Sequence, residues 1–274
     1  MEMKIAIIGC GVMGSAFARH FAKQHHVFLC DKSIEKVKLL AKDIGGKVFE
    51  KASDAVQEAD VILLAIKPKD LKGVAKTINS SLVKDQLVMS ILAGASLDLL
   101  HEYFPLSPIL RITPNLSLVH EQGVLGLADD SQLSHELKKL STSLLEGMGL
   151  LAWLPESKMD ALNALAASGL GFFFFIMEGF IEGGVAIGFT AQEAKEYTLK
   201  TLEGALTLMK EEPKKHPAEL KLQIASPAGT TIAGLIKMEE YGVKVGIIKA
   251  LVAAYDKAVH MFIPSTQHIK DEKN

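Results

Sequence analysis

Gly9, Gly11 and Gly14 fall in the run Gly-Cys-Gly-Val-Met-Gly, directly after the apolar stretch Lys4-Ile5-Ala6-Ile7-Ile8 and at the head of a helical pattern from Met13 to Lys23. That spacing suits a pyrophosphate. Gly9 can make a tight turn, Gly11 lets backbone approach the phosphates without a Cβ, and Gly14 lets the helix lie close on the strand. The N–H groups of the helix start, Val12 and Met13 among them, then face the anion. A second apolar stretch, Val27-Phe28-Leu29-Cys30, ends in Asp31, where a carboxylate would meet a ribose 2′-hydroxyl. Further along, Ser226-Pro227-Ala228-Gly229-Thr230-Thr231 is a Pro and Gly punctuated turn leading into a helix. Its successive N–H groups suit a carboxylate, and its two hydroxyls could bond a neighbouring heteroatom as charge changes there. The same residues also suit a plain helix start, with a threonine serving only the helix.

The elements that must position these groups alternate. Apolar runs at 60–66, 87–92, 109–112 and 124–127 follow the first two strands, and helical windows lie between them at 34–43, 54–59, 70–81, 97–103 and 131–146. Continuous apolar runs suit strands buried on both faces, so the fold class is α/β, a doubly wound and mostly parallel sheet. Ser33 suits the N-cap of the first window. The alternation stops at Trp153-Leu154-Pro155, and every later segment reads as helix, which divides the chain into domains at 1–155 and 156–274. Thr190 and Glu193 have capping-box spacing, opening a helix that Pro213 stops. Helices at 217–224, 230–241 and 245–262 follow, then a polar, loose tail from Pro264 to Asn274.

Composition narrows the partners. The chain has 274 residues, 30 Lys plus Arg against 32 Asp plus Glu, and a formal charge of −2, so it has no basic field for nucleic acid. Cys10 and Cys30 suit two reduced thiols, and the nine histidines have no ligand spacing, so no metal is expected. Strand one begins by residue 4, with no room for a leader, which argues for the cytoplasm. The stretch Leu165–Phe189 is apolar but carries Glu178 and Glu182, and it reads as a helix buried nearly all round, at a subunit interface or in a helical core, rather than a membrane span. Phe172 to Phe175 are accordingly expected in the core. The two glutamates are expected to pair with Lys or Arg at an interface.

Together, Gly9 to Gly14, Ala65-Ile66-Lys67-Pro68, Ser90 to Gly94, Arg111 to Asn115, Ala167 to Gly171 and Ser226 to Ile232 resemble pyrroline-5-carboxylate reductase. The last motif is the most specific, and the likeness spans nearly the whole chain. The resemblance implies a Rossmann domain followed by an all-α dimerisation domain, in a homodimer or an oligomer of dimers. It implies reduction of a cyclic imine, 1-pyrroline-5-carboxylate, to proline with NADH or NADPH. Carried over, Ala228, Gly229, Thr230 and Thr231 bind substrate, with Thr230 and above all Thr231 catalytic. Ala65, Lys67, Pro68 and Ala93 line the cofactor after strands four and five, with Gly9, Gly11, Val12, Met13, Gly14, Asp31, Lys32 and Ser33. Asp31 favours NADH, whereas Lys32, Ser33 and Lys36 suit a 2′-phosphate; the balance leans to NADH. Departures from the family pattern are Leu170 for serine, Phe172 to Phe174 for Pro-Ala-Tyr, Thr113 for methionine, Leu116-Ser117 for Thr-Pro, Ala228 for glycine and Lys200 for glutamine. They leave open a divergent homologue acting on another imine or small acid, or a nucleotide-binding protein without turnover.

Overall fold

Strand β1 (Lys4–Ile8) sends Ile5 and Ile7 into one apolar cluster and Ala6 and Ile8 into another, so both of its faces must be covered. The rest of the first half follows from that demand. In the computed structural model, which describes residues 2–84 and 86–260, an eight-stranded sheet has the order β3-β2-β1-β4-β5-β6-β7-β8. The other strands are β2 (His26–Cys30), β3 (Lys47–Val48), β4 (Val61–Leu64), β5 (Leu87–Ser90), β6 (Ile109–Pro114), β7 (Gly123–Ala128) and β8 (Gly149–Leu154). Pairing is parallel from β3 to β6, antiparallel between β6 and β7, and parallel again between β7 and β8. The intervening helices are α1 (Val12–Phe21), α2 (Ile34–Ile44), α3 (Ala52–Gln57), α4 (Leu71–Ile78), α5 (Leu97–Tyr103) and α6 (His135–Leu145). One face packs on Phe17 and Phe21 of α1, Val37 of α2 and Leu144 of α6. The other packs on Val56 of α3, Leu71 and Ile78 of α4 and Leu100 of α5. Each such side chain contributes about 2 kcal/mol on removal from water. The doubly wound, mostly parallel sheet is therefore as expected from the sequence.

The helical half comprises α7 (Met159–Leu162), a π-helical stretch Asn163–Ser168, then α8 (Gly169–Ala186), α9 (Ala191–Glu211), α10 (Pro217–Ile224), α11 (Thr230–Glu240) and α12 (Val243–Val259). Among the described residues two compact units emerge, one of residues 2–167 with 255–260, the other of Ser168–Ala254. The first unit runs past residue 155 because the root of the long helix is tied to the sheet. Arg111 on β6, only 5% exposed, donates to Glu156 Oε1 at 2.9 Å and to Asp160 Oδ1 at 2.7 Å. Glu156 also accepts the Leu97 N–H at the start of α5 at 2.5 Å. A widened π turn leaves carbonyls misaligned, and the buried Asn115 side chain donates to one of them, Ala166 O, at 3.1 Å. Removing the cation leaves two carboxylates facing a buried gap. Arg111→Leu is expected to lower stability by about 3 kcal/mol, read as a fall in the denaturant midpoint; a midpoint equal to the parent's would show that the cluster ties nothing.

In the second unit the capping box is formed, with Thr190 Oγ1 accepting the Glu193 N–H and Glu193 accepting the Thr190 N–H. Gly184 permits close approach of α8 to α9, since a Cβ there would lie 2.8 Å from that of Ala194. One expectation is corrected. Phe173, Phe174 and Phe175 are exposed in the single chain, Phe175 by 76%, and only Phe172 is half-buried. A helix apolar on all sides needs more surface than α9 offers, so its outer face has no cover among the described residues. The helical run Glu156–Ala186 is long and apolar enough to cross a membrane by length and composition alone, with a mean hydropathy of 1.8 in its most apolar window. Among the described residues neither Glu178 nor Glu182 forms an ion pair within the chain. The tail from Pro264 to Asn274, and the expected helix end at 261 and 262, lie outside the described residues.

Candidate active site

The glycine run sits where β1 turns into α1, and the end of β2 holds it in place. Gly9, at φ +101°, donates to Cys30 O at 2.8 Å, and Ser15 Oγ donates to Cys10 O at 2.9 Å. Asp31 takes the Cys10 N–H on Oδ2 at 2.7 Å and the Ser33 N–H on Oδ1 at 2.9 Å. Its carboxylate therefore has a part in bracing the loop that the sequence does not reveal. The three glycines then separate by physical cause. A Cβ on Gly14 would lie 1.9 Å from Gly9 O, and one on Gly9 would lie 2.5 Å from Ala65 O. Both are required by the fold itself. Gly11 is not: its φ of −69° suits any residue, and a Cβ there would meet nothing within 4 Å. Its open side belongs to the groove, and the helix start beyond it has no capping side chain.

That groove has a volume of about 800 Å³, within the usual range for a bound small molecule. Gly9, Gly11, Val12, Met13, Gly14, Asp31, Lys32, Ala65, Lys67, Pro68 and Ala93 all line it. Ser33 and Lys36 do not; Ser33 stands at the N-cap of α2 with its N–H on Asp31. Lining residues that sequence reasoning missed include Lys51 and Ser53 after β3, and Asp70 after β4. The two-residue β3 has too short a pattern to announce itself, so the loop that follows it could not be placed. A smaller cavity of about 120 Å³, lined by Arg111, Thr113, Pro114 and Asp160, shares Met13, Ile91 and Ala93 with the groove. These features fit a dinucleotide: an uncapped helix start for a pyrophosphate, a missing Cβ where it would lie, and a carboxylate at the strand end. Cys10 has no part in the chemistry. Burial first, and the nearby Asp31 carboxylate second, push its thiol up to about 12, so it stays neutral.

In the second unit, Ser226 to Gly229 form a tight turn closed by Gly229 N–H to Ser226 O at 3.0 Å. Pro227 in second place and Ala228 at φ +57° in third are the marks of a type II turn, which glycine would occupy without strain. Alanine in that conformation costs about 1 kcal/mol. A Cβ on Gly229 would lie 2.4 Å from Ser226 Oγ and 3.1 Å from Ser226 O, so a larger residue there would require the serine side chain to turn away. Gly229 is the N-cap of α11, with no side-chain cap, and Thr230 and Thr231 form its first turn. Neither threonine caps the helix, which removes the plain helix-start reading of their hydroxyls. The first-turn N–H groups remain available to an anion.

Comparison with known proteins bears on both units. Residues 156–261 match the family described as pyrroline-5-carboxylate reductase dimerisation, and residues 4–94 match NADP oxidoreductase coenzyme F420-dependent. The chain is 32% identical over 264 residues to a pyrroline-5-carboxylate reductase of Aquifex aeolicus, covering 94% of this chain and 97% of that protein. The solved 1-pyrroline-5-carboxylate reductase of Streptococcus pyogenes matches with a TM-score of 0.86 at 28% identity, over 94% of this chain and 98% of that one. A Plasmodium falciparum pyrroline carboxylate reductase solved with NADP bound has the same fold, with a TM-score of 0.85 at 24% identity over 94% and 98%.

Proposed function

The chain belongs to the pyrroline-5-carboxylate reductase family, and from that premise we propose that it reduces 1-pyrroline-5-carboxylate to proline with a pyridine nucleotide. The nucleotide, when bound, supplies the hydride. Everything else falls to the chain's own residues. The observation that carries the reading is the pair of uncapped helix starts, one behind a glycine with open space at its Cβ, the other behind a turn that leaves both threonine hydroxyls unused by the helix. The N–H groups of Gly229, Thr230 and Thr231 hold the substrate carboxylate, with Ala228 setting the bend. Thr231, with Thr230 as its neighbour, meets the imine nitrogen and orients the C=N bond. A hydroxyl there stabilises the charge that changes as the nitrogen becomes an amine. Gly9 to Gly14 hold the pyrophosphate, Asp31 and Lys32 flank the adenosine ribose, and Ala65, Lys67, Pro68 and Ala93 line the rest of the nucleotide. Ser33 supports this end only through its backbone.

The nucleotide preference leans to NADH. Asp31 lines the groove at the end of β2, where a carboxylate repels a 2′-phosphate, while Lys36 lies off the groove. The homodimer is supported by the family match over the helical half and by the apolar face of α8, which a second copy would cover. Near-neutral charge favours small-molecule substrates over nucleic acid, and free, buried Cys10 and Cys30 suit a reducing cytoplasm. The test follows nucleotide oxidation with pyrroline-5-carboxylate, NADH and NADPH run in parallel. Turnover with a higher kcat/KM for NADH is expected. Nucleotide binding without turnover would favour a non-catalytic nucleotide-binding protein, and turnover only with another imine would favour a divergent reductase.

A further inference from the structure

Lys32 and Asp70 come from different crossovers of the sheet, one from the loop after β2 and the other from the short 3-10 turn Pro68–Asp70 after β4. β1 lies between those strands in the sheet order, so a contact between the two loops spans the groove above the glycine run. The contact is made: Lys32 Nζ lies 2.7 Å from Asp70 Oδ1, and both residues line the groove. The ion pair does little for stability. Lys32 is 84% exposed and Asp70 25% exposed, a setting in which such pairs contribute almost nothing. Its consequence is where it holds charge. A 2′-phosphate on the adenosine ribose would arrive beside Asp31, and the adjacent cation that could receive it, Lys32, is drawn across the groove to a carboxylate. Asp31 is itself held at this spot, its oxygens accepting the Cys10 and Ser33 N–H groups.

We propose that Asp70 is a specificity-determining residue, which by pairing with Lys32 keeps that cation from a 2′-phosphate and biases the groove toward the unphosphorylated dinucleotide. This rests on the groove holding a pyridine dinucleotide, as proposed above. The other charged residues on the groove lining are Asp31, Glu50, Lys51 and Lys67, and Lys69 is near enough to Asp70 to favour its carboxylate form. Lys51 and Ser53, which follow β3 and also line the groove, leave some attraction for phosphate, so discrimination is a matter of degree and NADPH still binds.

The experiment measures dissociation constants of NADH and NADPH by titration calorimetry on the full chain, with Asp70→Asn, Asp70→Glu and Asp70→Asn combined with Lys32→Gln. Asp70→Asn is expected to tighten NADPH by about five- to tenfold, the scale of one charge contact near a surface, and to move NADH less than about twofold. Asp70→Glu keeps the pair and the parent ratio. The double variant loses the gain. Since the Asp70 side chain bonds only Lys32 among the described residues, the asparagine variant is expected to melt with the parent. An unchanged ratio of the two constants in Asp70→Asn would overturn the proposal, as would a gain that survives loss of Lys32. If the parent binds neither dinucleotide, the reading of the groove fails instead, and a parent preference for NADPH sinks only the NADH lean.

Discussion

Gly11→Ala is expected to unfold at the parent's denaturant midpoint and to bind dinucleotide at least about tenfold more weakly, a loss of roughly 1.4 kcal/mol or more. Gly14→Ala, three residues on, is expected to do the reverse in kind: it lowers stability by about 3 kcal/mol and takes dinucleotide binding with it. The contrast comes from what a methyl group meets. At position 14 it runs into the Gly9 carbonyl at 1.9 Å and sits 3.1 Å from the Ala65 Cβ, so α1 must lift from the sheet. At position 11 the backbone already has dihedrals open to alanine, and the methyl enters empty groove. Only a ligand that presses on that spot makes glycine worth keeping. Calorimetric titration with denaturant unfolding on both variants separates the two effects. Parent-like affinity in Gly11→Ala would mean that the phosphates lie elsewhere.

Thr231→Val is expected to lower kcat by about a hundredfold, the usual cost of removing one hydrogen-bond group that acts on the reacting centre. Dinucleotide affinity is expected to stay at the parent's value, because Thr231 belongs to α11 and the groove is built from other elements. Valine keeps the shape and β-branching of threonine and removes only the hydroxyl, and Thr231→Ser is expected to restore most of the rate. Neither change touches a helix cap, since Gly229 holds that position. Steady-state kinetics beside a nucleotide titration gives the split. Parent-like turnover in the valine variant would take Thr231 out of its assigned role and pass it to Thr230.

The legible parts of this chain were those in which one local cause decides the outcome. Thr190 and Glu193 satisfy each other's neighbouring donors, and four residues sufficed to place the start of α9. The apolar runs of β1, β4 and β5 are buried on both sides, so their composition alone marks them as inner strands. What stayed hidden depends on residues distant in the chain. Asp31 reads as a ribose ligand, but its grip on the Cys10 N–H follows from β2 lying beside β1. Arg111 reads as a polar interruption in a strand until Glu156 and Asp160 arrive beside it. Lys51 and Ser53 reach the groove through β3, whose two residues carry no periodicity. The phenylalanines of α8 misled for a related reason: hydropathy shows that a surface must be covered and is silent on which chain covers it.

That uncovered helix face sets a condition on the life of the newly made polypeptide. Among the described residues Phe173, Phe174, Phe175 and Phe180 of this helix are exposed, apolar surface of the kind that promotes clumping until it is covered. Solitary chains are thus the hazardous species. As the proposed dimer is diluted, the fraction of chains that carry this face bare rises.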